Sequence, residues 1–106
     1  MSGVVGTWID DWVAPDGAQA ETKETIGPDG RWTSHSTYTL SNEVTTTENQ
    51  GVVEIKDGCL ILTVTNRSYP SGAPLPWTHR YVIVRANDHE LVLRDEGGEG
   101  VKRRQK

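Results

Sequence analysis

The side chains of this chain that can do chemistry are acids, bases and aromatic rings spaced along predicted strands. Arg80 carries a planar guanidinium that can bind a carboxylate or a phosphate through two hydrogen bonds. Trp12 and Tyr38 offer ring faces on which a ligand ring or a sugar can stack. These residue types are typical of a small-molecule site, and the candidate ligand-binding set is Trp12, Glu24, Tyr38, Tyr69, Trp77 and Arg80.

Other chemistries find little support in the residue pattern. His35, His79 and His89 are far apart in sequence, and strand alternation predicts that all three point outward. Cys59 lies beside a predicted hairpin turn without an evident basic neighbour, which predicts an inert thiol. No Gly-x-Ser-x-Gly motif is present. We therefore predict no metal site, no cofactor and no catalytic residue.

The composition describes a small acidic protein with a modest core. The chain has 106 residues, which predicts one domain over 1–106, and only 34% of them are hydrophobic. With no Phe, four Trp and three Tyr must supply much of the apolar bulk. A net charge of −4 argues against a nucleic-acid partner. No apolar run approaches the ~18 residues of a membrane span. Without a secretory leader pattern either, we expect a cytoplasmic protein with no membrane partner, while a secreted protein whose leader was removed stays an open alternative.

The elements that position the candidate residues are predicted to be strands. Short runs rich in Thr, Val, Ile, Trp and Tyr alternate with turn residues, which is typical of an all-β chain. Asp57-Gly58 is a strong hairpin signal, and Pro28-Asp29-Gly30 and Asn87-Asp88 are also tight. The eight predicted strands cover 4–12, 18–26, 31–40, 44–56, 59–67, 77–86, 90–95 and 99–104.

The connections predict how these strands are arranged. Alternate connections of an up-and-down meander lie at opposite ends of the sheet, so the tight turns fall together at one end. The other end carries the longer loops 13–18, 41–43 and 68–76, with 96–98 as a short exception. This layout predicts an eight-stranded antiparallel meander barrel with a closed floor and a mouth rimmed by loops. The proline-rich loop 68–76 is a candidate lid.

Residue counts from each tight turn predict which side chains point inward, because alternate residues of a strand face opposite sides. Around the hairpin between strands four and five, Ile55 pairs with Leu60, so this apolar face is the core. A three-residue loop between strands two and three pairs Ile26 with Trp32, which adds a second apolar layer near the floor.

Two further turns predict the polar part of the inward set. A two-residue turn between strands six and seven pairs Val84 with Leu91 and places Arg80 inward. A three-residue loop between strands seven and eight then pairs Leu91 with Arg103. A buried charge without compensation is costly. Three explanations stay open: a hydrated upper half, a pair between Glu24 and Arg80, or a one-residue error in the register of strands two and three.

Several stretches, spread over nearly the whole chain, together resemble the calycins, which include lipocalins, avidins and short bacterial lipocalin-like relatives. They comprise an N-terminal Gly-x-Trp strand, an Asp-Gly turn before an aromatic strand, and a closing strand with a basic residue. The matching stretches are Gly6-Thr7-Trp8, Pro28-Asp29-Gly30-Arg31-Trp32, 54–63, 80–84 and 90–95.

The resemblance implies a structural role for the first tryptophan. In the family this residue plugs the barrel floor, and a basic residue of the last strand packs across its ring. The plug would be Trp8, preceded by Gly6. The predicted register assigns Arg103 as the basic partner, whereas the family spacing assigns Arg104. Either contact would join the first strand to the last and close the sheet.

The resemblance also implies a function, the binding of a small hydrophobic or amphipathic molecule at the mouth. Two alternatives stay open. An eight-stranded barrel is just wide enough to fill with side chains, which would suit a structural or protein-interaction module. A small enzyme of the cyclase or isomerase type could use Glu24, Tyr38 or Arg80 as its acid or base.

A homodimer is a further expectation. Ile61, Ile83 and Val92 are predicted to point outward, and together they would form an apolar patch on the outer face of the barrel. Such a patch is a candidate interface between two copies of the chain.

Overall fold

The computed structural model describes residues 3–68 and 74–105. Eight strands close into one antiparallel barrel in which each strand pairs with its neighbours in sequence. Their bounds are β1 Gly6–Val13, β2 Gln19–Ile26, β3 Arg31–Leu40, β4 Glu43–Lys56, β5 Cys59–Arg67, β6 Trp77–Ala86, β7 Glu90–Asp95 and β8 Gly98–Arg104. The predicted all-β meander barrel is confirmed.

No helix in residues 3–68 and 74–105 is long and apolar enough to cross a membrane.

The tight turns set the register of the hairpins in which a short loop joins two regular strands. Asp57 and Gly58 both have positive φ, 54° and 75°, as a two-residue hairpin turn with the right twist requires. The predicted pair of Ile55 with Leu60 follows from this turn. Ile26 likewise pairs with Trp32 across the loop between β2 and β3.

The core lies in the floor half of the barrel. Trp8 and Leu91 are each only 1% exposed, and the apolar inward residues of the other strands pack around them. The buried cluster consists of Val4, Trp8, Ile26, Trp32, Val53, Leu60, Leu62, Val64, Leu91 and Leu93. On β3 the next inward residues toward the mouth are Ser34 and Ser36, which are buried and polar. The predicted change from an apolar floor to a more polar upper half is therefore found on this strand.

The register predicted between β6 and β7 is wrong. Next to the turn, Leu91 pairs with Ala86 and not with Val84 as predicted, and a β-bulge between Ile83 and Arg85 then shifts the pairing by one residue, so that Ile83 pairs with Leu93. A bulge inserts one residue into a strand and so reverses the facing of every residue beyond it. Arg80, expected inside, is therefore exposed on the outer face.

The apolar patch predicted for a homodimer also differs in the structure. Ile83 faces inward and packs against the core, and Val92 is only 3% exposed. Val82 and Val84 are exposed on β6 instead. The predicted patch of Ile61, Ile83 and Val92 is therefore wrong, while the homodimer itself stays a prediction.

The turn between β7 and β8 also differs from the prediction. Asp95 pairs with Gly98, so two residues form the turn and not three. This shifts the pairing by one, so that Leu91 faces Lys102 and Glu90 faces Arg103. Lys102 and Arg104 consequently point into the barrel, and Arg103 points outward.

The first and last strands meet at a short seam near the floor. Their ladder consists of two residue pairs, Trp8 with Arg104 and Ile9 with Arg103. The Arg104 guanidinium lies over the Trp8 ring, with Cζ 4.3 Å from the ring centroid, and its Nη1 donates to the Val5 carbonyl at 2.8 Å. Arg104, the residue that the family spacing predicted, therefore joins the two ends of the sheet.

Gly6 makes this contact sterically possible. A Cβ at position 6 would collide with Nη1 of Arg104, and the φ of Gly6 is +143°, which residues with a side chain rarely adopt. The Gly-x-Trp motif thus combines a ring for the guanidinium with space for it to reach the backbone.

We predict that Arg104→Met lowers the free energy of unfolding by roughly 2–4 kcal/mol, because it removes a cation–π contact and a charged hydrogen bond. The measurement is urea unfolding followed by tryptophan fluorescence. Arg103→Met is the matched control. Arg103 pairs with Asp11 at 2.7 Å on the surface, with side chains 66% and 59% exposed. Its loss should be below about 1 kcal/mol. Equal losses for the two variants would contradict the closing role of Arg104.

Candidate functional site

A cavity of about 290 Å³ lies inside the barrel above the floor. Its lower wall is apolar and is formed by side chains from β2, β3, β4, β5 and β7: Ile26, Trp32, Val53, Leu60, Leu62, Leu91 and Leu93. Its upper wall is polar and includes Asp10, Glu24, Tyr81, Asp95 and Lys102. The cavity therefore has one apolar end and one charged side.

Three charged side chains meet on one wall of this cavity. The Lys102 ammonium lies 2.7 Å from a Glu24 carboxylate oxygen and 4.0 Å from one of Asp10. Lys102 and Glu24 are well shielded, with side chains 20% and 16% exposed, whereas Asp10 is 35% exposed. Glu24 is thus paired with Lys102, and not with Arg80 as expected.

Strand alternation explains why these three residues meet. Trp8 lies opposite both Glu24 on β2 and Arg104 on β8. Asp10 and Lys102 each lie one inward position closer to the mouth than Trp8 and Arg104 on their own strands. The contact that closes the floor therefore also sets the position of the charged wall.

Asp10 has a raised pKa, chiefly because burial penalises its charged form. The Lys102 ammonium opposes this shift, while the neighbouring charges of Glu24 and Asp11 add to it. The Asp10 carboxylate is thus compensated less well than the Glu24 carboxylate, which lies closer to the Lys102 ammonium.

Tyr81 adds a polar group to the opposite wall. Burial raises the pKa of its phenol, and the nearby charges of Glu24 and Asp95 raise it further. The hydroxyl consequently stays protonated at neutral pH, where it can donate or accept a hydrogen bond.

A ring column lies between this wall and the mouth. The His79 ring stacks on Trp77 with centroids 5.3 Å apart, meets the Tyr81 ring edge-on at 4.4 Å, and contacts Asp95 through Nε2 at 3.0 Å. The hydrogen bond from His79 holds the pKa of Asp95 below its usual range, helped by the Gly97 backbone N–H. The outward orientation predicted for His79 is wrong, because the bulge in β6 reverses its facing.

The cavity reaches the surface beside the β7–β8 hairpin. Gly97, Gly98 and Gly100 belong to its lining and are exposed, and they place no side chain across the opening. None of the described residues of loops 13–18, 41–43 and 68–76 lines it. These three loops were expected to rim the opening. The residues that rim it belong instead to the β7–β8 hairpin.

The predicted ligand-binding residues do not form one group. Glu24 lines the cavity. Trp12 packs edge-on against Tyr38, with centroids 5.7 Å apart, and lies with it nearer the mouth, outside the cavity lining. Trp77 belongs to the ring column, and Arg80 lies on the outer face. Tyr69 lies outside the described residues.

Sequence reasoning missed Asp10, Tyr81 and Lys102 as members of the cavity wall. Asp10 could have been found, because it lies between Trp8 and Trp12 on the same face of β1. Lys102 follows by alternation from Arg104, the partner that the family spacing indicated. Tyr81 depends on the bulge in β6, for which we found no signal in the sequence.

No group of three or more His, Cys, Asp or Glu side chains that could hold a metal ion occurs within residues 3–68 and 74–105. The charged wall instead contains a lysine, whose ammonium would repel a metal ion.

Comparisons with known proteins bear on the fold. Neither protein-family models nor curated proteins give a match to the chain. Among solved structures, the chain is similar to the crystal structure of a lipocalin-like protein from Bacteroides uniformis, with a TM-score of 0.65 and 15% sequence identity. The match covers 97% of this chain and 99% of that chain. The fold is lipocalin-like. At this identity the likeness concerns the fold alone, so the chemistry of this lipocalin-like barrel must come from its own residues.

We predict that Asp10→Asn stabilises the barrel at pH 7. A carboxyl group whose pKa is raised by folding lowers the stability of the protein as the pH rises. The loss begins near the ordinary carboxyl pKa of 3.8, grows until the pH passes the folded pKa, and persists at neutral pH. Removal of the charge should recover less than about 1 kcal/mol, since water screens a carboxylate that is partly exposed. The gain should be absent at pH 3, where Asp10 is protonated in both states.

The measurement is the melting temperature of both proteins at pH 7 and at pH 3. Asp11→Asn is the matched control, because Asp11 is the next residue of β1 and points outward to Arg103. This control should lower stability slightly at pH 7. A loss of stability in Asp10→Asn at pH 7 would show that the Lys102 contact outweighs the cost of burial.

Proposed function

We propose that this lipocalin-like barrel binds one small molecule in its internal cavity. The observation that carries the proposal is the cavity itself, about 290 Å³ in volume and open beside the β7–β8 hairpin. Ligand pockets in proteins range from ~300 to 1,000 Å³, so this one suits a compact ligand.

The lining supports an amphipathic ligand. Trp32 and the aliphatic side chains near the floor provide an apolar surface, and burial of a ring there would release water from both partners. Asp10, Lys102 and Tyr81 provide polar contacts on the walls above. A ligand that buries its apolar end and presents its polar end to these groups fits both parts.

The opening favours a binding cavity over a filled structural barrel. Gly100 faces inward from β8, and no atom lies within 4 Å of the position that a Cβ would take there. A barrel selected for stability alone would gain from a larger side chain at such a site, because protein interiors are normally close-packed. The interaction module, the small enzyme and the cytoplasmic location stay predictions.

The test measures binding of N-phenyl-1-naphthylamine, an uncharged apolar dye that fluoresces in apolar surroundings. We expect saturable binding to the wild-type protein with one site per chain. Gly100→Phe should place a ring across the cavity and weaken binding by about tenfold or more, which corresponds to about 1.4 kcal/mol. It should leave the melting temperature near that of the wild type.

Val101→Phe is the matched control for this substitution. Val101 is the next residue of β8, points outward and is 50% exposed. It adds a ring of the same size to the outer surface, so dye binding should be unchanged. An absence of dye binding to the wild-type protein, or equal binding to the Gly100 and Val101 variants, would reject the proposed function.

A further inference from the structure

The charges on the cavity wall do not balance. Glu24 and Lys102 form a close pair at 2.7 Å, which neutralises both. Asp10 has the same ammonium at 4.0 Å and no hydrogen-bond donor to its carboxylate within residues 3–68 and 74–105. One negative charge is therefore left facing the cavity without a close partner of its own.

The other charges near Asp10 do not supply this partner. The Arg103 guanidinium points outward, where it is hydrogen-bonded to Asp11 at 2.7 Å. Two more carboxylates line the cavity, those of Asp95 and Glu99. Asp95 already accepts hydrogen bonds from His79 at 3.0 Å and from the Gly97 N–H at 2.8 Å, and Glu99 is exposed and alternates with the inward residues of β8. Asp10 is thus the inward-facing acidic group of the wall that remains available to a ligand.

A partly buried carboxylate without a donor gains most from a positively charged donor, because charge-assisted hydrogen bonds are about twice as strong as neutral ones. An ammonium group from the ligand would supply both the charge and the N–H groups. The raised pKa of Asp10, caused first by burial, agrees with a carboxylate that lacks such compensation.

We propose that the ligand is a compact amphipathic amine, whose ammonium group binds Asp10 and whose ring or branched apolar group occupies the floor of the cavity against Trp32. This inference rests on the proposed binding function of the cavity. The nearest alternative, an anionic ligand on Lys102, would have to displace Glu24 and leave two carboxylates facing it. Arg80, the group first expected to bind an anion, lies outside the barrel.

The experiment compares three probes that share one naphthalene ring and differ in one group: naphthalen-2-ylmethylamine, naphthalen-2-ylmethanol and 2-naphthoate. Isothermal titration calorimetry on the wild-type protein at pH 7 gives the three dissociation constants. We expect the amine to bind at least about tenfold more tightly than the alcohol, and the carboxylate to bind most weakly.

Two variants locate the preference. Asp10→Asn should abolish the advantage of the amine, so that the amine and the alcohol bind this variant with similar dissociation constants. Asp11→Asn removes the same charge from the next residue of the strand, on the outer face, and should keep the advantage. The wild-type comparison stands by itself if either variant is too unstable to titrate.

The outcomes separate this inference from the proposed function. Equal affinities for amine and alcohol, tighter binding of the carboxylate, or an amine preference that survives Asp10→Asn would overturn the amine proposal. If N-phenyl-1-naphthylamine still binds in those cases, the binding function stands. If neither the dye nor any of the three probes binds, both proposals are wrong.

Discussion

The barrel depends on the contact between Trp8 and Arg104 at its floor. The ladder between the first and last strands contains two residue pairs, fewer than the ladder between any other two neighbouring strands of the barrel. The guanidinium over the ring, 4.3 Å from its centroid, and its hydrogen bond to the Val5 carbonyl add a second connection. Both interactions join residues from opposite ends of the chain. They must therefore offset the conformational entropy that the chain loses when its two ends are brought together.

The same contact determines which face of the last strand points inward. Once Arg104 lies over Trp8, alternation directs Lys102 toward Glu24 and Asp10, and it leaves Gly100 at the opening. The structural plug and the charged wall are therefore consequences of one register. A shift by one residue would move Arg103 and Val101 inside and remove both the floor contact and the polar wall.

The fold could be predicted well from the sequence, because its signals are local. Asp57-Gly58 and the other turn residues fixed where strands end, and they gave the correct pairing of Ile55 with Leu60. The errors arose where the chain departs from a simple ladder. The bulge between Ile83 and Arg85 lies among ordinary strand residues, and the run 95–98 fits a turn of two or of three residues.

Those two departures account for most of the errors in the candidate site. Each changes the facing of a whole strand segment. A shift of one residue therefore places Tyr81 on the inner face where Arg80 was expected, and Lys102 where Arg103 was expected. The expected cation for Glu24 was found, but on β8 and not on β6. The need for a charge partner was thus predictable from burial, whereas its identity depended on non-local geometry.

The upper part of the seam has two opposing requirements. Above Ile9 and Arg103 the two strands no longer pair, and unpaired strand edges tend to recruit other strands. Two ion pairs lie along these edges, Asp10 with Lys102 on the inner side and Asp11 with Arg103 on the outer side. Charges deter a foreign strand and still leave a ligand room to enter beside the glycines of the β7–β8 hairpin. An apolar seam would pack more tightly, but it would close the cavity and remove the carboxylate that faces it.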